Sequence, residues 1–342
     1  MSVSLKRIAR EADVSVTTVS RVLRGRGEIS DETRQRVQKI ADKLRYRPNI
    51  AAQSIFTGRT NSIGVIIPAA TTFDVRIAFG IHDMLAEQDV VPITLWTCQE
   101  NVPSDLQHSI DTVMKQIHHL VDRRVDGVIL RPHNDFRDVY IREILDRHMP
   151  LVTVDRDYLG SHADFVGTND VHGARLVAQH LLGLGHRRIV HLAGPETVMT
   201  SQLRKDAFES ALASIPDVEY RTIVDESYGL DGRAAMRIFE LKPRPTAIFA
   251  ANDKMAKFVY NAARRYGLQI PEDLSVVGFA DMEIAELMDP PLTTVRQQPY
   301  EIGRQAARIM LERIDGKLHE PKSILLEPQL IVRGSTIRYS LQ

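Results

Sequence analysis

The chain has 342 residues, 43% of them hydrophobic, with 44 Lys and Arg against 44 Asp and Glu, so its formal net charge is zero. That length and apolar content support two or three domains with a sizeable core and exclude disorder of the whole chain. One cysteine, Cys98, excludes a disulfide framework, and no apolar run approaches the roughly 18 residues of a membrane span. The N-terminus carries no stretch of the secretory type, so a cytoplasmic setting without a membrane partner is expected.

The zero charge hides an asymmetry. Residues 1 to 60 hold 13 Lys and Arg against 6 Asp and Glu, and the remainder holds 31 against 38. A basic head on an acidic body gives the head a reason to meet a polyanion. Within the head, Leu5, Ile8, Ala9 and Ala12 share one helical face, Val19, Val22 and Leu23 continue it, and Val37, Ile40, Ala41 and Leu44 form a third helix. Ser15 and Ser30 stand where N-caps belong, and Asp31 and Glu32 suit the positive end of a helix. Only the Asp13-Val14 turn separates the first two helices, the spacing of a helix-turn-helix. The second helix of such a motif enters the major groove of double-stranded DNA. Val16, Thr17 and Arg21 are expected on base edges, with Ser15, Thr18, Ser20 and Arg24 nearer the phosphates.

The stretch from "IAREADVSVTTVSRVLRGRG" through "YRPNIAAQSIFTGRT" resembles the N-terminus of the LacI family of bacterial transcription regulators. The resemblance continues through "LGHRRIVHLAGP", "RPTAIFAANDKMA", "IPEDLSVVGFAD", "PPLTTVRQ" and "IVRGST", nearly to the end of the chain. It implies a homodimer that reads a pseudo-palindromic operator and answers to a small carbohydrate-like effector, a repressor being the favoured reading. The family's tetramers carry a leucine-repeat tail, which the ending "RGSTIRYSLQ" lacks, so a dimer is expected. It further implies that residues 48–60 are a hinge helix over the minor groove, with Asn49 among the DNA contacts and Ile55 at the position of a leucine wedge. Isoleucine is stiffer at χ1 than that leucine but can still part a base step. A helix this short is marginal by itself and needs a partner to hold it.

From residue 61 onward, short apolar runs such as "SIGVIIP", "DGVILRP", "PLVTVD", "TAIFAAN" and "LSVVGFA" alternate with amphipathic segments at 171–184, 202–214 and 253–266. This alternation predicts an α/β body with parallel sheets covered on both faces. A composition break near 156–164 divides it into two lobes. The resulting expectation is a helix-turn-helix domain at 1–47, the hinge at 48–60 and a two-lobed, periplasmic-binding-protein-like effector and dimerisation domain at 61–342. Lobe 1 would take about 61–160 and 292–322, and lobe 2 about 161–291 and 323–340, the crossing being implied by the resemblance.

In open α/β sheets the ligand lies beyond the carboxyl ends of the strands. Those ends carry Phe73, Asp74, Arg131, Asp155, Asn252 and Asp281, with Arg204 just inside a following helix. The family's effector contacts map onto Phe73, Arg131, Asp155, Arg204 and Asn252, and Tyr228 is placed to cover the ligand. The family's pair of acids after "GF" is here Ala280-Asp281. Losing the first acid while Arg131 faces the cleft favours an anionic effector, a sugar acid or a sugar phosphate, because an arginine fork suits such groups. Pairing of the arginines by Asp74 and Asp155 would leave a neutral sugar equally open.

The rival classes are a nucleotide-binding enzyme and a solute-binding protein built on the same body. "GLGHRR" lacks the third glycine of a dinucleotide fingerprint, and no P-loop pattern occurs. The histidines have no metal-site spacing and Cys98 no nominated base, so neither a cofactor nor a metal is expected. A solute-binding protein would need an export signal and no basic head.

Overall fold

The described residues between 4 and 46 fold around three helices because their apolar positions recur at helical spacing and converge on one point. The computed structural model describes residues 4–23, 27–46, 58–68, 71–97, 106–132, 139–157, 163–213 and 215–339. The chain divides into two units, Met1–Thr60 and Asn61–Gln342. In the first, α1 (Leu5–Ala12), α2 (Val16–Leu23) and α3 (Asp31–Lys43) bury Ile8, Ala9, Ala12, Val19, Val22, Val37 and Ala41 against one another. Asp13 ends α1 in the left-handed region at φ 51°, and the N–H of Val14 donates back to the Ala9 carbonyl at 3.1 Å. Asp tolerates that conformation, which turns the chain at once into α2. Ser15 Oγ then accepts from the Thr18 N–H at 3.0 Å, and Ser30 caps α3 by accepting from Thr33 N–H. Arg24, Asn49, Ile55, Cys98 and residues 48–57 of the expected hinge lie outside the described residues.

The second unit contains β1 (Ser62–Pro68), β2 (Val91–Thr97), β3 (Gly127–Leu130), β4 (Leu151–Val154), β5 (Asp164–Thr168), β6 (Arg188–Ala193), β7 (Glu219–Val224), β8 (Ala247–Ala250), β9 (Ser275–Ala280), β10 (Thr293–Arg296), β11 (Ser323–Leu326) and β12 (Gln329–Ile331). Its helices are α4 (Thr72–Ala86), α5 (Leu106–Asp122), α6 (Val139–Leu145), α7 (Asp170–Gly183), α8 (Met199–Ala213), α9 (Arg233–Ile238), α10 (Asp253–Arg265), α11 (Glu283–Leu287) and α12 (Pro299–Ile314). The strands form two six-stranded sheets, ordered β2-β1-β3-β4-β5-β11 and β7-β6-β8-β9-β10-β12. Every pairing is parallel except β10 with β12. Strands such as β3, β4 and β8 are buried along their whole length, as sheets with helices on both faces require. In each sheet the order reverses beside the first strand, β1 or β6, which opens a crevice at the carboxyl ends.

The lobes divide differently from the expected boundaries. β5 lies beyond the expected break at 160 yet pairs with β4 in the first sheet, and β10 lies in the stretch expected to return to lobe 1 yet pairs with β9 in the second. β11 is likewise a first-sheet strand, beside β5. The chain therefore crosses between lobes after Thr168, after Arg296 and after Leu326. The three crossings are tied together: Gln297 Nε2 donates to Thr168 Oγ1 at 2.8 Å, Asn169 Nδ2 to Glu327 Oε1 at 2.9 Å, and Gln298 Nε2 to the Glu327 carbonyl at 2.8 Å.

Two glycines bring α4 and α12 into backbone contact on the first sheet. A methyl group on Gly303 would run into the Ile77 carbonyl, and one on Gly80 into the Tyr300 carbonyl. Alanine is the better helix former by about 0.5–1 kcal/mol, but backbone cannot yield as a side chain would. Gly303→Ala is therefore expected to destabilise by about 1–3 kcal/mol through overpacking, measurable as a lower urea midpoint; an unchanged or higher midpoint would mean the helices can separate freely.

Candidate functional site

In the basic head, α2 turns Val19 and Val22 inward, which leaves Val16, Thr17 and Arg21 exposed and Thr18 and Ser20 partly so. Val16 is 40% exposed, a large apolar side chain held in water at the first helical position. The Ser15 hydroxyl is engaged in the cap and with Thr18 Oγ1 at 2.8 Å, so these two groups first fix the helix start. The outward face thus offers a methyl-bearing side chain, hydroxyls and a guanidinium together, the groups that read base edges.

In the body, the carboxyl ends of β3 and β4 bring Arg131 and Asp155 together. Arg131 donates to Asp155 Oδ2 from Nε at 3.0 Å and from Nη2 at 2.7 Å, and its Nη1 lies 3.0 Å from Asp74 Oδ1 at the start of α4. Asp74 also accepts from Thr71 Oγ1 at 2.7 Å. The Phe73 ring stands 5.9 Å from the same guanidinium. Burial opposes the charge on Arg131, while Asp74 and Asp155 hold it protonated, above the usual arginine range. Two carboxylates of the chain, Asp74 and Asp155, thus lie on the Arg131 fork.

Arg204, in α8, is equally engaged. It donates to Asp170 Oδ1 at 2.7 Å and to the Ala251 carbonyl at 2.7 Å, and its guanidinium carbon lies 3.7 Å from the centre of the Phe279 ring. Burial pushes Asp170 up to about 6, against the pull of Arg204. Asn252 caps α10, its Oδ1 accepting from the Met255 N–H at 2.9 Å, which leaves its amide nitrogen for other partners. Tyr228, with φ at 52°, is half-buried beside Gly194 after β6.

Asp281 accepts from Arg296 Nε at 2.6 Å and lies 2.7 Å from Arg333 Nη2. It lines a cavity of about 390 Å³ with Phe73 and Arg76 of α4, Ala280, Glu283 and Arg296. That cavity joins the start of α4 in the first lobe to the end of β9 in the second, beside a crossing strand. Behind it, Asp253 is buried, accepting from Thr294 Oγ1 at 2.6 Å and from the Met282 N–H at 2.7 Å. Burial pushes its carboxyl up to about 7. A carboxyl whose folded value lies above its unfolded value binds more protons when folded, so its contribution to stability falls as pH rises from about 4 to 7. Asp253→Asn is expected to gain on the native chain by about 1 kcal/mol per pH unit across that window, read by urea unfolding at pH 5, 6, 7 and 8; parallel profiles would contradict it.

Three buried polar residues stand outside a reading by strand ends: Arg156, Asp170 and Ser201. Arg156 directly follows Asp155 and could have been nominated with it. Asp170 and Ser201 begin helices, where an acid or a serine reads as a cap, so nothing local distinguishes them. Two buried histidines have structural partners: His191 stacks on Phe249 and bonds its carbonyl, and His186 meets Thr246 and the Ile337 carbonyl. Among the described residues no helix is long and apolar enough to cross a membrane.

Comparison with known proteins agrees with this architecture. Residues 4–49 match the model for bacterial regulatory proteins of the lacI family, and residues 178–336 match a periplasmic binding protein-like domain. The chain is 31% identical over 343 residues to the HTH-type transcriptional repressor PurR of Vibrio vulnificus, covering 97% of this chain and 98% of that one. It is 32% identical to the HTH-type transcriptional regulator DegA of Bacillus subtilis, with 98% of each covered. Among solved structures, the lac repressor dimer bound to operator and the anti-inducer ONPF superposes with a TM-score of 0.81 at 27% identity, over 98% of this chain and 100% of that one. The transcriptional regulator CelR in complex with cellobiose gives 0.71 at 29% identity, over 97% and 99%. A LacI family regulator from Enterococcus faecium with bound ribose gives 0.67 at 27%, over 82% and 100%. These relatives are transcription regulators and not enzymes, and with a helix-turn-helix head on a two-lobed α/β body, the chain belongs to the LacI family of bacterial regulatory proteins.

Proposed function

We propose that the protein is a dimeric transcriptional repressor acting on the nucleoid, which reads a pseudo-palindromic operator with α2 and the hinge and is controlled by a carbohydrate-like effector between its lobes. The observation that carries the DNA reading is the outward face of α2, where Val16, Thr17 and Arg21 are exposed and Ser20 partly so. A two-fold dimer presents that face twice, matching the symmetry of a palindromic site. The effector reading is supported by the cavity between α4 and β9, by the tied crossings about which two lobes can close, and by solved relatives that hold cellobiose and ribose. Phe73 and Asp281 line that cavity, Asp74, Arg131, Asp155, Arg204, Tyr228 and Asn252 follow strand ends of the two sheets, and paired acids and arginines of this kind suit a ligand rich in hydroxyls, as a sugar, sugar acid or sugar phosphate is.

Closure on the ligand changes the operator affinity, and by linkage the operator changes the ligand affinity by the same factor. The test is fluorescence anisotropy of a selected operator duplex challenged with sugars, sugar acids and sugar phosphates. One of them is expected to shift operator affinity by about 5–150-fold. A compound that raises the melting temperature of the protein while leaving operator affinity unchanged would contradict the coupling.

A further inference from the structure

The charged side chains that line the cavity between α4 and β9 are Arg76, Asp281, Glu283, Glu286 and Arg296. Most of them are matched. Arg296 Nε donates to Asp281 Oδ2 at 2.6 Å, and Glu286 Oε1 accepts from Arg333 Nη2 at 3.0 Å. Among the described residues, the side chains of Arg76 and Glu283 make no hydrogen bond or ion pair, and both residues are exposed. The idle charges are thus one of each sign, the cation on the first lobe and the carboxylate on the second.

Each of the two is carried by an element fixed to its own sheet. α4 meets α12 backbone to backbone at Gly80 and Gly303, so Arg76 moves with the first lobe. On the other side, the Met282 N–H donates to the buried Asp253 of α10, and Asp281 lies between Arg296 and Arg333. Those contacts hold Ala280 at φ 115° and Asp281 at φ 54°, a region that residues other than glycine seldom occupy and that persists only where the surroundings impose it. Glu283, two positions on, therefore moves with the second lobe. The crossing at Gln297, tied to Thr168, lies on the wall of the same cavity. Rotation of one lobe on the other about that crossing changes the separation of the two idle charges directly.

We propose that Arg76 and Glu283 form an ion pair across the lobes on closure, a latch that sets how far the effector-free body is closed. This rests on the reading of the body as two lobes whose closure changes operator affinity, and is independent of which effector binds. The test is a double-mutant cycle on the full-length protein without effector: Arg76→Glu, Glu283→Arg and the two together. Affinity for a selected operator duplex and melting temperature are the readouts. Each single reversal replaces attraction by repulsion, and is expected to move operator affinity in the same direction by about three- to tenfold and to lower the melting temperature by about 1–3 °C. The double reversal is expected to return operator affinity to within about twofold of the native value and to restore the melting temperature.

Single reversals that act in opposite directions on the operator, Arg76→Glu weakening it and Glu283→Arg tightening it, would reveal only the general field of the body on DNA and would overturn the proposal. So would a double reversal no closer to native than the singles. Glu286 already holds Arg333, so Glu286→Arg is expected to leave Arg76→Glu unrescued; a rescue as complete as that by Glu283→Arg would also overturn the pairing. Restored melting with operator affinity flat across the cycle leaves the latch standing and removes the coupling of closure to DNA.

Discussion

Arg204→Ala is expected to lower the unfolding free energy by about 3–5 kcal/mol at pH 8, because it leaves the carboxylate of Asp170 buried without its cation. The same change removes the donor to the Ala251 carbonyl and the guanidinium resting on Phe279. Asp170 stands at about 6 with Arg204 in place, so its removal raises that value further. A carboxyl held above its unfolded value near 3.9 loses stability as pH climbs. The deficit of the variant should therefore shrink on going from pH 8 to pH 5, which urea unfolding at the two values will read. In the folded fraction the operator is expected to bind normally and the effector response to be absent. A deficit below about 1 kcal/mol, the range of a surface pair, would show that water reaches the site.

Arg21→Ala is expected to weaken operator binding by about 1–3 kcal/mol and to relax the preference at a single base pair, the signature of a guanidinium forked on a guanine. Arg21 is exposed on the outward face of α2, and it follows the buried Val19 by two positions, so no core packing is lost with it. Thr17→Ala on the same face tests a neighbouring contact. Competition assays with every single base change in the operator measure the effect. A uniform loss across all sequences would place Arg21 on a phosphate instead.

The parts of this molecule that rest on local pattern were legible in the sequence. Three helices of the head follow from the spacing of Ile8, Val19 and Val37 and their neighbours, and the caps at Ser15 and Ser30 follow from residue type. The apolar runs of the body each became a strand for the same reason: a stretch buried on both faces has to be apolar throughout. What escaped was decided by contacts distant in sequence. β5 belongs to the first sheet because β11, more than 150 residues later, pairs with it from Ser323 opposite Phe165 to Leu326 opposite Thr168. No local feature of "DFVGTN" announces that partner. In the cleft, the residue types were visible, but their pairing was not. Asp74 and Asp155 were nominated as ligand contacts beside Arg131, and only their distances reveal that they neutralise it. Arg156 lies one position past Asp155, and an arginine after a strand end carries no local sign that it is buried.

That α2 reads bases from a symmetric pair of subunits is tested most directly by selection of duplexes from a random DNA library by the purified protein. The predicted result is a single enriched site with two-fold symmetry and a flexible pyrimidine–purine step at its centre, bound at least about a thousandfold more tightly than random duplex at moderate salt. Enrichment of no symmetric sequence, with equal affinity for random DNA, would contradict it.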